Sequence, residues 1–189
     1  QDANEALAIV GDQPDLQTSR ALALRARGNS LYGLDRTTEG LQSIEQALEI
    51  FQSIEDRPNT ATTYQELGII QRSTGNLEAA QSAYLKAEAF WRAEDNPYRL
   101  ADLLNNLGVL YHHIGEYELS AATFNEGLKY ARLVGFARLE AFILSSLGDL
   151  YADLLAFPDA EKVFEQALEI ARRIENRFLC FYLPCALAC

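Results

Sequence analysis

Apolar positions along the chain return at spacings of three and four residues, the pattern of helices that each bury one stripe. Leu100, Leu103, Leu104, Leu107, Leu110 and Tyr111 make one such run, and Leu77, Ala80, Tyr84, Ala87 and Trp91 make another. Short polar breaks with helix-stopping residues divide the runs: STGN at 73–76, HIGE at 113–116, EDRPN at 55–59 and EDNPY at 94–98. The pattern predicts one set of helices over 18–33, 59–73, 98–113 and 137–153. A second set is predicted over 37–54, 77–94, 117–134 and 158–174.

The two sets alternate because the chain repeats. Gly28, Gly68, Gly108 and Gly148 stand 40 residues apart without a gap, and other columns fall in register with them. Small residues recur seven before the glycine (Ala21, Ala61, Ala101, Ala141) and twelve after it (Gly40, Ala80, Ser120, Ala160). Large ones recur sixteen after it (Ile44, Tyr84, Phe124, Phe164) and small ones nineteen after it (Ala47, Ala87, Gly127, Ala167). Glycine inside a helix costs roughly 1 kcal/mol relative to alanine, so its return demands a packing benefit. Small side chains let two antiparallel helices approach while a large residue opposite fills the gap.

The series Leu107, Gly108, Tyr111, Gly115, Ser120, Phe124, Gly127 and its counterpart Leu147, Gly148, Tyr151, Ala160, Phe164, Ala167 resemble the tetratricopeptide repeat family. The resemblance runs over residues 18–176, with Arg27, Gln71 and Leu155 departing from the Leu, Tyr and turn-Gly columns. It implies an all-α, right-handed superhelical solenoid of antiparallel helix pairs. The expected array has repeats at 18–57, 58–97, 98–136 and 137–177, with 1–17 as the second helix of a preceding repeat. Residues 178–189 then form the first helix of a following one, and the whole is expected to be a fragment of a longer protein. The 40-residue period is similar to that of kinesin light chains and of MalT-like sensor domains of bacterial transcription activators.

In such arrays the first helices line a concave recognition surface. Offsets of −7, −4, 0 and +3 from the glycine set the core face, so offsets of −6, −3, +1 and +4 look toward a partner. The expected contact residues are Arg25, Asn29 and Tyr32, then Gln65, Ile69 and Arg72, then Asn105, Val109 and His112, then Phe142, Ser145 and Asp149. The family's carboxylate clamp is met only at Arg25 and Asn29. Glu66, Asp102 and Asn106 occupy its other positions, so a chaperone C-terminus is not the expected ligand. Asn105–Asn106 resembles the asparagine-bearing helix of kinesin light chains.

Composition narrows the function further. With 27 acidic against 16 basic residues, the formal charge is −11, which disfavours direct nucleic-acid binding. No run approaches the ~18 apolar residues of a membrane span, and a cytoplasmic segment is expected. Cys180, Cys185 and Cys189 cluster near the end without framework spacing, and the i,i+4 pair Cys185–Cys189 is expected to be open to intermolecular disulfides. Adjacent His112 and His113 point about 100° apart on a helix, a poor metal pair. No Walker A, GxGxxG, HExxH or GxSxG motif occurs, so neither catalysis nor a cofactor is expected. The expected role is recognition of a protein or peptide, or of a small effector, within a bacterial signalling or transcription regulator. A generic scaffold is the alternative.

Overall fold

The computed structural model describes residues 14–187. Among these residues there are nine helices and no strand. The first is α1 (Pro14–Gly33), followed by α2 (Thr37–Ser53), α3 (Arg57–Ser73), α4 (Leu77–Ala93) and α5 (Pro97–His113). Then come α6 (Tyr117–Leu133), α7 (Ala137–Asp153), α8 (Phe157–Arg173) and α9 (Arg177–Leu187). The helix starts lie within a few residues of the sequence expectation. α1 begins at Pro14, so residues 14–17 belong to the first helix pair, and the expected preceding helix falls outside the described residues.

The joints explain the regularity. Each is three residues long with a left-handed residue at its centre, at 35, 55, 75, 95, 115, 135, 155 and 175. At the end of such a joint the third amide past the helix reaches back five residues, as Glu116 N does to Tyr111 O at 2.9 Å, which closes a Schellman-type end. Gly75 and Gly115 take the left-handed conformation at no steric cost, whereas Leu155 adopts it at φ 59°. Three first helices have side-chain caps one or two periods apart: Asp56 accepts from Asn59 N, Asn96 from Arg99 N, and Asn176 from Leu179 N. Phe136 stands where the remaining cap would be, and its ring stacks on Tyr98 with centroids 4.8 Å apart.

The chain divides into two compact units, Gln1–Ala93 and Glu94–Cys189. In the first, α1 pairs with α2 and α3 with α4, while α2 also packs on α3. Ala21, Leu24, Ala47 and Phe51 bury one core between α1 and α2. Ile44, Leu67, Ile70 and Ala83 bury another, which joins the two hairpins. In the second unit α5 pairs with α6 and α7 with α8, and α9 lies against α8. One continuous core runs from Ala101 through Phe124, Leu144 and Phe164 to Leu183. Each such Leu or Phe contributes about 1.5–3 kcal/mol on leaving water.

The glycine column does what its spacing predicts. A methyl on Gly108 would lie 2.6 Å from two ring carbons of Phe124, and one on Gly68 would lie 2.5 Å from Tyr84 Cε1. At Gly28 the obstructing side chain is Ile44 and at Gly148 it is Phe164, so the column at +16 fills the space the glycine leaves. The +12 column completes the crossing: Ser120 Oγ donates to Gly108 O at 2.8 Å, fully buried.

A second buried stripe accompanies the expected one. Thr63, Leu67 and Ile70 on α3, and Ile143, Leu147 and Leu150 on α7, sit at −5, −1 and +2 from the glycine and are buried. The equivalent positions of α1 hold Ala23, Arg27 and Ser30, which are half-buried or exposed.

Candidate interaction face

With two stripes of each inner first helix committed to packing, the −6, −3, +1 and +4 positions define a narrow remaining face. Nine of the twelve expected contact residues are half-buried there: Arg25, Tyr32, Ile69, Arg72, Asn105, Val109, His112, Phe142 and Asp149. Asn29 is exposed. Gln65 and Ser145 depart from expectation, being only 5% and 6% exposed. Both lie on first helices flanked by another first helix, α1 beside α3 and α5 and α9 beside α7, and this leaves them unavailable to a partner.

Much of the face is cross-linked within each unit. In the first, Arg25 Nη1 donates to Asn59 Oδ1 at 2.9 Å, its Nε lies 3.6 Å from a Glu66 carboxylate oxygen, and its guanidinium covers the Phe51 ring at 5.5 Å. Asn59 also donates from Nδ2 to Asp56 Oδ2 at 2.8 Å. Arg25 therefore helps to fix the capped start of α3. Tyr32 packs against the core around Ile44, and the buried Nε of Arg72 has no hydrogen-bond partner.

In the second unit, His112 Nε2 lies 2.9 Å from Asp153 Oδ2, and Ser146 Oγ donates to Asn105 Oδ1 at 3.4 Å. Tyr182 donates its hydroxyl to Asp149 Oδ1 at 2.6 Å. Phe142 stacks on Phe178 at 6.3 Å, Phe178 on Tyr182 at 5.9 Å, and Arg138 lies 5.9 Å from the Phe142 centroid. Val109 and Phe142 also lean on the core beneath. Burial raises the Asp149 carboxyl above its ordinary range despite the Tyr182 hydrogen bond that favours its ionised form. Tyr182 is pushed up to about 12, first by burial and then by its bond to Asp149.

Several participants escaped the sequence pattern: Asn59, Glu66, Ser146, Asp153 and Tyr182. A signal for three of them exists. Arg25 with Glu66, Asn105 with Ser146, and His112 with Asp153 are each 41 residues apart, one period plus one. A face residue meets the chain neighbour of its own equivalent, so a search at the repeat length alone passes over the pairing.

The opposite chemistry marks the second helices, where Glu45, Glu49, Glu165 and Glu169 are exposed as expected of solvated charge. Among the described residues no group of three or more His, Cys, Asp or Glu is placed to hold a metal ion. The rings of His112 and His113 stand 6.4 Å apart. Cys180 is half-buried and Cys185 exposed, while Cys189 lies outside the described residues. Among the described residues no helix is long and apolar enough to cross a membrane.

Small-residue crossings, three-residue joints and paired first and second helices define a helical-repeat interaction fold. The chain belongs to the tetratricopeptide repeat family, which matches residues 19–93 and 99–173. No curated protein matches its sequence. Solved structures share the fold at low identity. BtubC (BKLC) from P. vanneervenii is 21% identical over 92% of this chain and 72% of its own, with a TM-score of 0.79. Aspartyl phosphate phosphatase F from Bacillus subtilis is 15% identical with a TM-score of 0.84, and this chain covers 45% of its length from 90% of its own. A signal transduction ATPase with numerous domains, carrying a tetratricopeptide repeat sensor, from Pyrococcus horikoshii is 20% identical at a TM-score of 0.80; the match takes in 90% of this chain and 27% of that one.

Proposed function

We propose that the chain is a non-catalytic recognition module that binds a protein or peptide segment along its first-helix face. In this reading it serves as the cytoplasmic sensor or interaction part of a bacterial signalling or transcription regulator. The supporting observation is a contrast of surfaces. The first helices present half-buried amides, arginine, histidine and apolar side chains together, as in Asn105, Val109 and His112, while the second helices present exposed glutamates. An extended peptide needs amide and apolar groups side by side, and this face offers both. Family membership supports the interaction role, and the tetratricopeptide repeat sensor named for the P. horikoshii protein supports the sensor role.

Each unit's face is probed at one polar residue of its own, Arg72 in the first and Asn105 in the second. A peptide array probed with wild type and with an Arg72→Ala/Asn105→Ala variant tests this. Peptides that bind the wild type and lose binding to the variant support the reading; equal binding to both removes the face from the interaction. A thermal shift of several degrees with one member of a metabolite panel, and no peptide bound, would replace the peptide by a small effector.

A further inference from the structure

A second surface, on a different face of α3, carries its own ligand chemistry. Between α3 and α4 lies a groove of about 300 Å³ whose apolar floor includes Ala61, Ala89 and the Phe90 and Tyr64 rings. Two cations stand over those rings: the Arg57 guanidinium 5.4 Å from the Phe90 centroid, and Lys86 Nζ 4.9 Å from that of Tyr64. Neither has a carboxylate partner among the described residues, in a chain where acidic residues outnumber basic ones 27 to 16. The carboxylate adjoining Arg57 in the chain, Asp56, is engaged by Asn59 through both oxygens. Tyr64 Oη accepts from Gln52 Nε2 at 2.8 Å, which fixes the ring and leaves the phenolic proton available to an acceptor.

The arrangement is not a by-product of the repeat. One period later the Arg57 and Lys86 positions hold Pro97 and Glu126, two periods later Ala137 and Gln166, and one period earlier Gln17 and Gln46. Only the period that supplies Tyr64 and Phe90 supplies both cations. Ring contact holds each long side chain in place, so less rotamer freedom is lost when an anion arrives.

We propose that the α3–α4 groove docks an acidic peptide segment, with one apolar side chain on the Phe90–Ala61–Ala89 floor and flanking carboxylates on Arg57 and Lys86. The charge complementarity selects the partner: a basic or neutral segment would leave both cations unmatched. The site is independent of the first-helix face proposed above.

An array of hexapeptides tests it with the full chain. Each peptide carries one residue of Leu, Ile, Val, Phe, Tyr or Trp flanked by Asp and Glu, beside counterparts flanked by Asn and Gln or by Lys. Acidic peptides should bind at least about tenfold more tightly than their amide counterparts, with an affinity that falls as salt rises. Arg57→Glu/Lys86→Glu, at two exposed positions, should abolish that preference, and the milder Arg57→Gln/Lys86→Gln should weaken it. Arg72→Ala/Asn105→Ala should leave it unchanged. Acidic peptides that bind no better than amide ones, or equally well to the charge-reversed variant, would overturn the proposal. So would a preference for the Lys-flanked set.

Discussion

Gly108→Ala tests the packing argument at its tightest point. The added methyl would come to 2.6 Å from Cδ1 and Cε1 of Phe124 and 3.0 Å from Cγ, where carbon atoms settle at about 3.5–4.0 Å. Phe124 is 0% exposed, so its ring has no solvent side to retreat to. Overpacking of this kind costs about 1–3 kcal/mol, and three close ring atoms place it near the upper end. Exchanging glycine for alanine in a helix returns roughly 1 kcal/mol, for a net loss of about 2 kcal/mol. In a chain of 189 residues that loss corresponds to a fall of about 4–8 °C in melting midpoint, read by circular dichroism at 222 nm. Two controls separate the clash from a general intolerance of alanine. At Gly33 a methyl meets nothing within 4 Å, so Gly33→Ala should leave the midpoint unchanged or slightly higher. Phe124→Val removes the obstructing ring atoms, so the double variant should lose less than the sum of the singles by on the order of 1–2 kcal/mol. A Gly108→Ala midpoint at or above the wild type's, or a cycle that adds within about 0.5 kcal/mol, would refute the claim that the ring sets the crossing distance.

Other perturbations have calculable signs. Leu155→Gly should raise stability by about 0.5–1 kcal/mol in thermal denaturation, because the leucine is held at φ 59° while its side chain is 72% exposed. Asp56→Ala removes the acceptor for both Asn59 N and Asn59 Nδ2 and should cost about 1 kcal/mol, measured by urea titration. Tyr182 is raised from 10.0 to about 12 in the folded chain, so the stability it contributes is complete below pH 10 and is lost as pH rises through about 12. Tyr182→Phe should flatten that alkaline decline in unfolding curves collected across the same range. The Asp149 carboxyl is likewise raised, so its contribution is present below the ordinary carboxylate range and lost as pH climbs through the folded value. Asp149→Asn should therefore be at least as stable as wild type at pH 7 while retaining an acceptor for Tyr182; a lower midpoint would show that the ionised carboxylate stabilises the fold.

The helices, their order and the glycine crossing were legible because each rests on a periodicity that a single chain displays: three to four residues for a helix face, forty for the repeat. The face between first helices was legible only as a direction. Arg25 illustrates the limit. Its position on the face follows from helix geometry, but its partners Asn59 and Glu66 depend on how far one first helix is shifted along the next, a tertiary quantity. Gln65 and Ser145 fail for the same reason, since their polarity suggests exposure while neighbouring helices decide it. The cations at Arg57 and Lys86 carry no repeat signal at all. They become a pair only when the α3–α4 hairpin brings positions 29 residues apart to one groove.

The identical joints have a bearing on how such a chain can change in length. A turn inside a hairpin and a turn between hairpins share one backbone solution, with the left-handed residue returning every twenty positions from 35 to 175. Tandem copying of any forty-residue stretch would thus create no junction the chain does not already use. Copying a lone helix would also join cleanly, yet it would swap the roles of every downstream helix and put the exposed Glu165 and Glu169 where buried Ser145 and half-buried Asp149 now stand. Growth by whole pairs is the route that side-chain chemistry leaves open, although the main chain alone would accept either.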